Sequence, residues 1–370
     1  MPGLIPRIFR VVWLLCAVVM LGVEITDAYA QQVNPPALPR SEKRLLQMGW
    51  QTPPLQQMPQ YLTAAQHTPF DGLILSVESP HHSAGLGWTI FSEVPVDKAE
   101  LETLGTWYGR LHWGRLTDNF LRVTVSPGVI DWYDDFDAVI GNFEAMARLA
   151  RQLGFRGIML DTEQYGDITL FSYPHRKYKN LYTYEEYRTQ AFRRGRQIMR
   201  ALNRAYPGIT VLYTYGMTMG SQRGAAFDGS RHGYGLMIPF IEGMIRAADE
   251  HTVLVDAFEG SYQYKNETEF LAAYQLIKGY TRDFARDPRR YAQKMQAGFG
   301  LWLDHNCGSG QGLQPGGCSA GFTPASFSSS VDMALRYSDR YVWVYSQSVN
   351  WFTGEGMPPD WATVLPTIGQ

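Results

Sequence analysis

Eight short apolar runs, each followed by a segment of helical character, predict an α/β chain folded as a (β/α)8 TIM barrel with extended βα loops. A second observation points the same way. The run Gly157, Ile158, Met159, Leu160 is almost unbroken in its apolar character and ends at Asp161 and Glu163, as a parallel strand covered by helices on both faces would. Third, acidic residues stand at the carboxyl ends of several runs, where barrels collect their ligands. An open doubly wound sheet is the competing architecture. No Gly-rich phosphate loop follows the first run and no Walker A sequence is present, so neither a nucleotide nor any other cofactor is expected.

The segment 1–30 is read first, because it should not belong to the fold. Arg7 and Arg10 precede the apolar run 11–23, and Ala28-Tyr29-Ala30 closes it, which is the make-up of a secretory signal peptide with its cleavage site. The run is short for a transmembrane helix. The expected product is secreted or periplasmic, with no membrane attachment after cleavage. A Pro-containing linker over 31–40 then leads into one barrel domain over 41–370.

Within that domain the first strand is expected at 44–50 and is followed by Pro53-Pro54 and a helix over 55–66. The second, 72–78, alternates so that Leu73, Leu75 and Val77 face helices while Ile74, Ser76 and Glu78 face the barrel axis. A long connection carries His81-His82 and an amphipathic segment over 97–111. Strand three, 120–125, turns Arg122 and Thr124 to the axis, and the helix after it runs over 143–153 and stops at Gly154. Strand four is 157–163, with Asp161 and Glu163 two apart and therefore on one face. Its helix, 184–206, turns Phe192, Gly195, Met199 and Leu202 inward, and its arginine cluster reads as a solvated face. Strands five to eight are expected at 209–215, 252–256, 297–304 and 341–345.

Composition narrows the partners. The formal net charge is −2, and removing 1–30 takes away two arginines together with Glu24 and Asp27, so nothing in the charge invites nucleic acid or an anionic membrane. Ten Trp and twenty-two Tyr are many for a soluble chain, and flat aromatic faces suit sugar rings as well as cores. Only Cys307 and Cys318 remain beyond the leader, flanking a Gly-rich loop, and in an exported chain they are expected to form a disulfide. No metal site is expected, since paired His residues at ligand spacing are missing and His81-His82 reads as a solvated loop pair.

Granting a barrel, the strand ends supply the candidate site. Its catalytic candidates are Glu163, Glu259, Asp304, Asp161 and Asp256, and its binding candidates are Glu78, Arg122, Tyr213, Tyr215, Trp302, His305, Tyr345, Gln347 and Trp351. Carboxyls crowded into one mouth shift one another's pKa, so that one stays protonated as an acid while another is ionised as nucleophile or base. Gly260 suggests a turn that aims Glu259 inward, and Gly298 and Gly300 suggest space on the axis beside Asp304.

The segment from Arg156 to Glu163 resembles the fourth strand of secreted (β/α)8-barrel glycoside hydrolases. Asp161-x-Glu163 is similar to the last half of the chitinase-type D-x-x-D-x-D-x-E pattern, where this chain has Arg156 and Met159 in place of the first two acids. A fourth-strand Glu is also the acid/base position of the retaining clan typified by cellulases, which has an Asn before it and a Glu ending strand seven; here those places hold Thr162 and Asp304. The resemblance covers an architecture and one strand end, and it names no family. It implies a carbohydrate substrate and Glu163 as general acid/base, with Glu259 or Asp304 as nucleophile or base. A pair made of Asp161 and Asp256 stays open, as do a glycan-binding barrel without catalysis and a metal-dependent hydrolase built on Asp161, Glu163, Asp256 and His305.

Overall fold

A computed structural model describes residues 33–369 apart from 80–82, 84, 127–128, 166–168, 222–226 and 308–311. The expected leader, His81 and His82 lie outside the described residues. The strands are β1 (Arg44–Gly49), β2 (Gly72–Leu75), β3 (Phe120–Thr124), β4 (Gly157–Asp161), β5 (Thr210–Tyr213), β6 (Val253–Asp256), β7 (Met295–Ala297), β8 (Phe299–Trp302) and β9 (Tyr341–Ser346). Every pairing is parallel, in the order β7-β6-β5-β4-β3-β2-β1-β9-β8.

The ends of that order, β7 and β8, are successive pieces of one stretch. The expected seventh strand is thus divided: β7 pairs with β6, β8 pairs with β9, and Gly298 stands between them. Its N–H donates to the Asp256 carbonyl at 2.9 Å, and a Cβ there would press on the Tyr341 carbonyl and the Val255 side chain. Glycine therefore lets one strand change partners without a steric clash. Farther along, Trp302 N–H still reaches the Tyr262 carbonyl at 3.1 Å, so the sheet returns on itself as an eight-stranded TIM barrel.

Around it lie α1 (Met58–Gln66), α2 (Lys98–Tyr108), α3 (Asp137–Gln152), α4 (Tyr184–Ala205), α5 (Thr218–Ser221), α6 (Met237–Ala247), α7 (Glu267–Gln275), α8 (Thr281–Phe284), α9 (Pro288–Lys294), α10 (Pro324–Tyr337) and α11 (Pro359–Val364). Local chemistry sets their ends. Thr183 and Glu186 form a reciprocal capping box on α4, Asn266 and Glu269 do the same on α7, and Gly154 with φ of 72° follows the end of α3. Helices α4 and α6 approach closely because Gly195 faces the Phe240 carbonyl and Gly243 faces the Phe192 carbonyl, where any Cβ would collide. Among the described residues no helix is long and apolar enough to cross a membrane.

Alternation along the strands sorts two cores. Leu46, Met48, Ile74, Phe120, Met159, Leu212, Val255, Ala257, Tyr341 and Trp343 fill the barrel, whereas Leu73, Leu75, Leu121, Val123, Ile158, Leu160 and Val211 face the helices. The axial space expected at Gly300 is occupied: a Cβ there would strike the Trp343 indole, whose Nε1–H donates to the Ala257 carbonyl at 2.7 Å.

At the amino ends of the strands one carboxylate gathers the barrel. Asp118, fully buried, accepts from Arg44 Nε at 2.9 Å, Thr117 Oγ1 at 2.8 Å and Tyr341 Oη at 3.1 Å, with Arg156 and Arg340 each at 3.4 Å. Burial alone would raise its pKa, but the Thr117 hydroxyl and the three guanidiniums overcome that and hold it below the usual carboxylate range. A lowered folded-state pKa contributes stability above the unfolded value, and that contribution is lost as pH falls through the folded value. Asp118→Asn is therefore expected to cost about 3 kcal/mol near neutral pH, toward the lower end for a broken buried ion pair because the arginines reach solvent. Urea denaturation of both proteins near pH 7 and near pH 3 should show the difference shrinking in acid; an equal difference at both values would remove the charge from the explanation.

Candidate active site

The site is built where β4 ends. Asp161 is buried, and its Oδ2 takes a hydrogen bond from Arg122 Nη2 at 2.7 Å. Its Oδ1 accepts from the backbone N–H of Glu163 at 3.1 Å and from Thr214 Oγ1 at 3.4 Å. The chain beyond the strand is then pinned residue by residue. Thr162 Oγ1 donates to the Tyr215 carbonyl at 2.8 Å, Ser126 Oγ donates to the Glu163 carbonyl at 3.1 Å, and Gln164 N–H donates to Tyr234 Oη at 3.2 Å. Glu163 leaves this anchored backbone half-buried, and one of its oxygens takes the Tyr165 hydroxyl. A carboxyl on so fixed a frame is pre-positioned.

Glu259 comes from the other side of the mouth. It opens a 3-10 turn, Glu259–Ser261, whose backbone is held between neighbouring strands: Glu259 N–H donates to the Thr214 carbonyl at 2.9 Å, and Ser261 Oγ donates to the Gly300 carbonyl at 2.9 Å. The side chain is 7% exposed, and its Oε2 is buried with no partner among the described residues. An unsatisfied buried carboxyl oxygen is costly and marks a place where a proton or a ligand is wanted.

Electrostatics link the acids. Burial, then the Asp161 charge, push the Glu163 carboxyl up to about 7, against the pull of Tyr165 and Arg122. Glu259 is raised well above the carboxylate range, first by burial and then by the charges of Glu163 and Asp161. Both carboxyls thus resist ionisation, and at Glu259 the charge of Glu163 is one of the causes. The repulsion between them falls on Glu259, the more deeply buried partner.

Aromatic residues wall this pair. Tyr262 lies near enough to Glu259 to draw its pKa back down, stacks on Tyr345 at 6.1 Å, and meets Trp302 edge-on at 5.5 Å. Tyr345 feels the charges of Arg122, Glu259 and Glu163. Tyr215, half-buried, is 6.0 Å from the Tyr234 ring. Of the residues proposed from sequence, Glu163, Glu259, Asp161, Arg122, Tyr345, Trp302 and Tyr215 are thereby brought to one region.

Others are placed elsewhere. Asp256 and Tyr213 are register partners on the outer side of the sheet. Asp256 accepts from Gly216 N–H at 3.2 Å and Thr218 Oγ1 at 2.8 Å, while Tyr213 packs toward Met244, so neither reaches the axis and the pair of Asp161 with Asp256 does not form. The strand alternates Val253, Val255, Ala257 inward, which sends 256 outward. Asp304 is buried and takes Trp302 Nε1–H at 2.8 Å, Gln347 N–H at 2.9 Å and Ser348 N–H at 2.6 Å; these bonds tie the loop after β8 to the loop after β9. Trp351 packs edge-on against Phe70 at 4.7 Å in the outer core. His305 stands against Trp302 with Nε2 at 3.2 Å from Gln263, and burial lowers its pKa. Gln347 contributes its backbone to Asp304, and Glu78 is exposed and takes Gln57 Nε2 at 2.7 Å. Cys307 and Cys318 are bonded as a disulfide. Among the described residues no group of three His, Cys, Asp or Glu side chains is arranged to hold a metal ion.

Tyr165, Tyr262 and Thr214 escaped the sequence reading. Tyr165 had a signal, since it continues the spacing of two from Asp161 and Glu163, whereas Tyr262 lies beyond a strand end, where alternation no longer predicts direction.

No family model matches the chain, and no curated protein matches it. Its structural neighbours include glycoside hydrolases of several families together with an endonuclease IV and sugar epimerases. A mutant O-GlcNAc hydrolase of Thermobaculum terrenum is 9% identical with a TM-score of 0.42, the match covering 83% of this chain and 55% of that one. A GH5_18 protein from Streptomyces cattleya in complex with GlcNAc is 14% identical with a TM-score of 0.44, over 89% of this chain and 75% of that one. A family GH18 chitinase from Chromobacterium violaceum is 10% identical with a TM-score of 0.43, over 91% and 85%. No family is singled out by them.

The charge linkage has a direct consequence. Asp161→Asn removes a like charge and also releases Arg122 from its partner, and both changes favour ionised Glu163. Its midpoint is expected to move below about 7, followed by NMR of carboxyl-labelled glutamate. A midpoint that stays or rises would show that the Asp161 charge does not reach Glu163.

Proposed function

We propose that this protein is an enzyme that hydrolyses glycosidic bonds of a poly- or oligosaccharide, with Glu163 and Glu259 as its carboxyl pair. The observation that carries the proposal is the meeting of two carboxyls with raised pKa values in one aromatic mouth, beside a third carboxylate tied to Arg122. Glycoside hydrolysis needs one carboxyl that gives a proton to the leaving oxygen and one that, as an anion, meets the positive charge developing at the anomeric carbon. A pair that holds a single proton is already in that state.

Glu163 ionises at about 7, and we assign the retained proton to Glu259, which burial and then the charges of Glu163 and Asp161 raise well above the carboxylate range. In this form Glu259 is the acid and Glu163 the base or nucleophile, the reverse of the roles that strand position alone suggests. Asp304 has no part in the chemistry, because its oxygens are taken by backbone and indole donors. Asp161 acts through Glu163: it holds that residue's N–H and raises its pKa.

Glu163→Gln and Glu259→Gln are each expected to fold and to lose at least about 10²-fold in turnover on whichever polysaccharide in a screen releases sugar. A dinitrophenyl glycoside, whose dinitrophenolate leaves without needing a proton, separates the roles. It should be spared in Glu259→Gln and not in Glu163→Gln, and the opposite result would return the acid role to Glu163. Undiminished turnover in either variant would overturn the pair, and saturable sugar binding with no product in the parent protein would make the barrel a binding module. The pH profile of kcat/KM should climb through about 7 and fall again at higher pH as the second proton leaves. A profile already flat above pH 5 would contradict the shared proton.

A further inference from the structure

A cavity of about 690 Å³ opens beside the carboxyl pair, over the ends of β1, β2 and β3. Neither Glu163 nor Glu259 lines it. Arg122 is the shared wall: its Nη2 holds Asp161, and its Nε is buried with no partner among the described residues. Two aromatic residues that the mechanism does not use stand at this cavity, Trp50 and Trp88.

Each indole is connected to the acids by one intermediate residue. The Arg122 guanidinium lies over the Trp50 ring at 5.2 Å, and half of the Trp50 surface stays exposed. Trp88 lies 5.8 Å from the ring of Tyr165, whose hydroxyl meets Glu163. Trp88 is carried by a 3-10 turn, Leu86–Thr89, that presses directly on β3. Gly87 allows this, because a Cβ there would collide with the Arg122 carbonyl. The turn is therefore seated by the same residue that borders the acids.

The remaining lining mixes apolar side chains, Met48 and Ile74 among them, with polar groups and has no excess positive charge. Ser76, Gln57 and Glu78 contribute hydroxyl, amide and carboxylate groups, and Glu100 adds a second carboxylate, while the charge of Arg122 is already met by Asp161. Indole faces with neutral donors and acceptors suit the apolar faces and hydroxyls of sugar rings. Two carboxylates disfavour acidic sugars by like-charge repulsion and desolvation. The volume lies within the range of about 300–1,000 Å³ that takes ligands of more than one ring.

We infer that this cavity is a binding site for neutral sugar rings next to the ring whose bond is cut, with Trp50 and Trp88 as its platforms. The inference rests on the reading of the mouth as a glycosidase site and makes the substrate a neutral chain of two or more rings. Binding can be tested without turnover, in the full chain carrying Glu163→Gln. Calorimetric titration with cello-, xylo-, manno- and chito-oligosaccharides of one to six rings is expected to show at least about tenfold tighter binding of a trisaccharide than of its monosaccharide in one series. Trp50→Ala and Trp88→Ala should each remove most of that gain and leave monosaccharide binding unchanged, and oligogalacturonides should bind at least about tenfold more weakly than the neutral series.

A length gain that survives both substitutions, no binding of any neutral series, or equal affinity for oligogalacturonides would overturn the assignment. Failure of the hydrolase reading looks different. A protein that binds the ladder through Trp50 and Trp88 but cleaves nothing would lose its catalytic role and keep this site.

Discussion

Asp118 is the interaction on which the barrel rests. It is one buried carboxylate facing Arg44, Arg156 and Arg340, and each of those arginines directly precedes or begins a strand. The amino end of the barrel is accordingly over-supplied with positive charge, and its carboxylate is held below its usual pKa. The carboxyl end has the opposite balance. There, among the described residues, Asp161, Glu163 and Glu259 share one guanidinium, Arg122, and the pKa values of Glu163 and Glu259 are pushed upward. Three cations about one acid stabilise the fold; three acids about one cation store repulsion where chemistry can use it.

That repulsion is tolerated because the frame around the acids is neutral and fully bonded. Thr162, Thr214 and Ser126 bind backbone or one another across the ends of β3, β4 and β5, and Gln164 N–H is held by the Tyr234 hydroxyl, so the carboxyls cannot relax apart by moving the chain. What relaxes instead is protonation. A rigid site with too many acids is obliged to hold a proton, and this is the condition that acid catalysis near neutral pH requires.

Much of this was legible in the sequence, and the boundary of legibility is physical. Alternation by two places Ile74 and Arg122 on the axis and Leu73 and Leu75 on the helical side, because strand geometry dictates it. Asp256 stands at a strand end as a site acid would, but it alternates with the inward Val255 and Ala257 and so faces outward. Asp304 could not be read at all, since it lies in the turn after β8 and its donors come from residues 347 and 348, some forty positions away. Gly298 and Gly300 advertised space, but space in a barrel belongs to whichever strand fills it. The Trp343 indole does so from β9, a cross-strand fact that no local spacing carries.

The two aromatic walls of the mouth differ in kind, and the difference orients the site. On the side of β6, β8 and β9, Tyr262, Trp302, Trp343 and Tyr345 pack on one another, and both indole N–H groups are spent on protein acceptors, Asp304 and the Ala257 carbonyl. Such a cluster is a back wall: rigid, filled, and able to shape a ring that arrives but not to admit one. On the side of β1, β2 and β3, Trp50 and Trp88 line a cavity with Arg122 between it and the acids. A ligand that extended from the carboxyl pair in that direction would have to pass Arg122. The arginine that balances Asp161 is also the residue that any extended ligand would meet next.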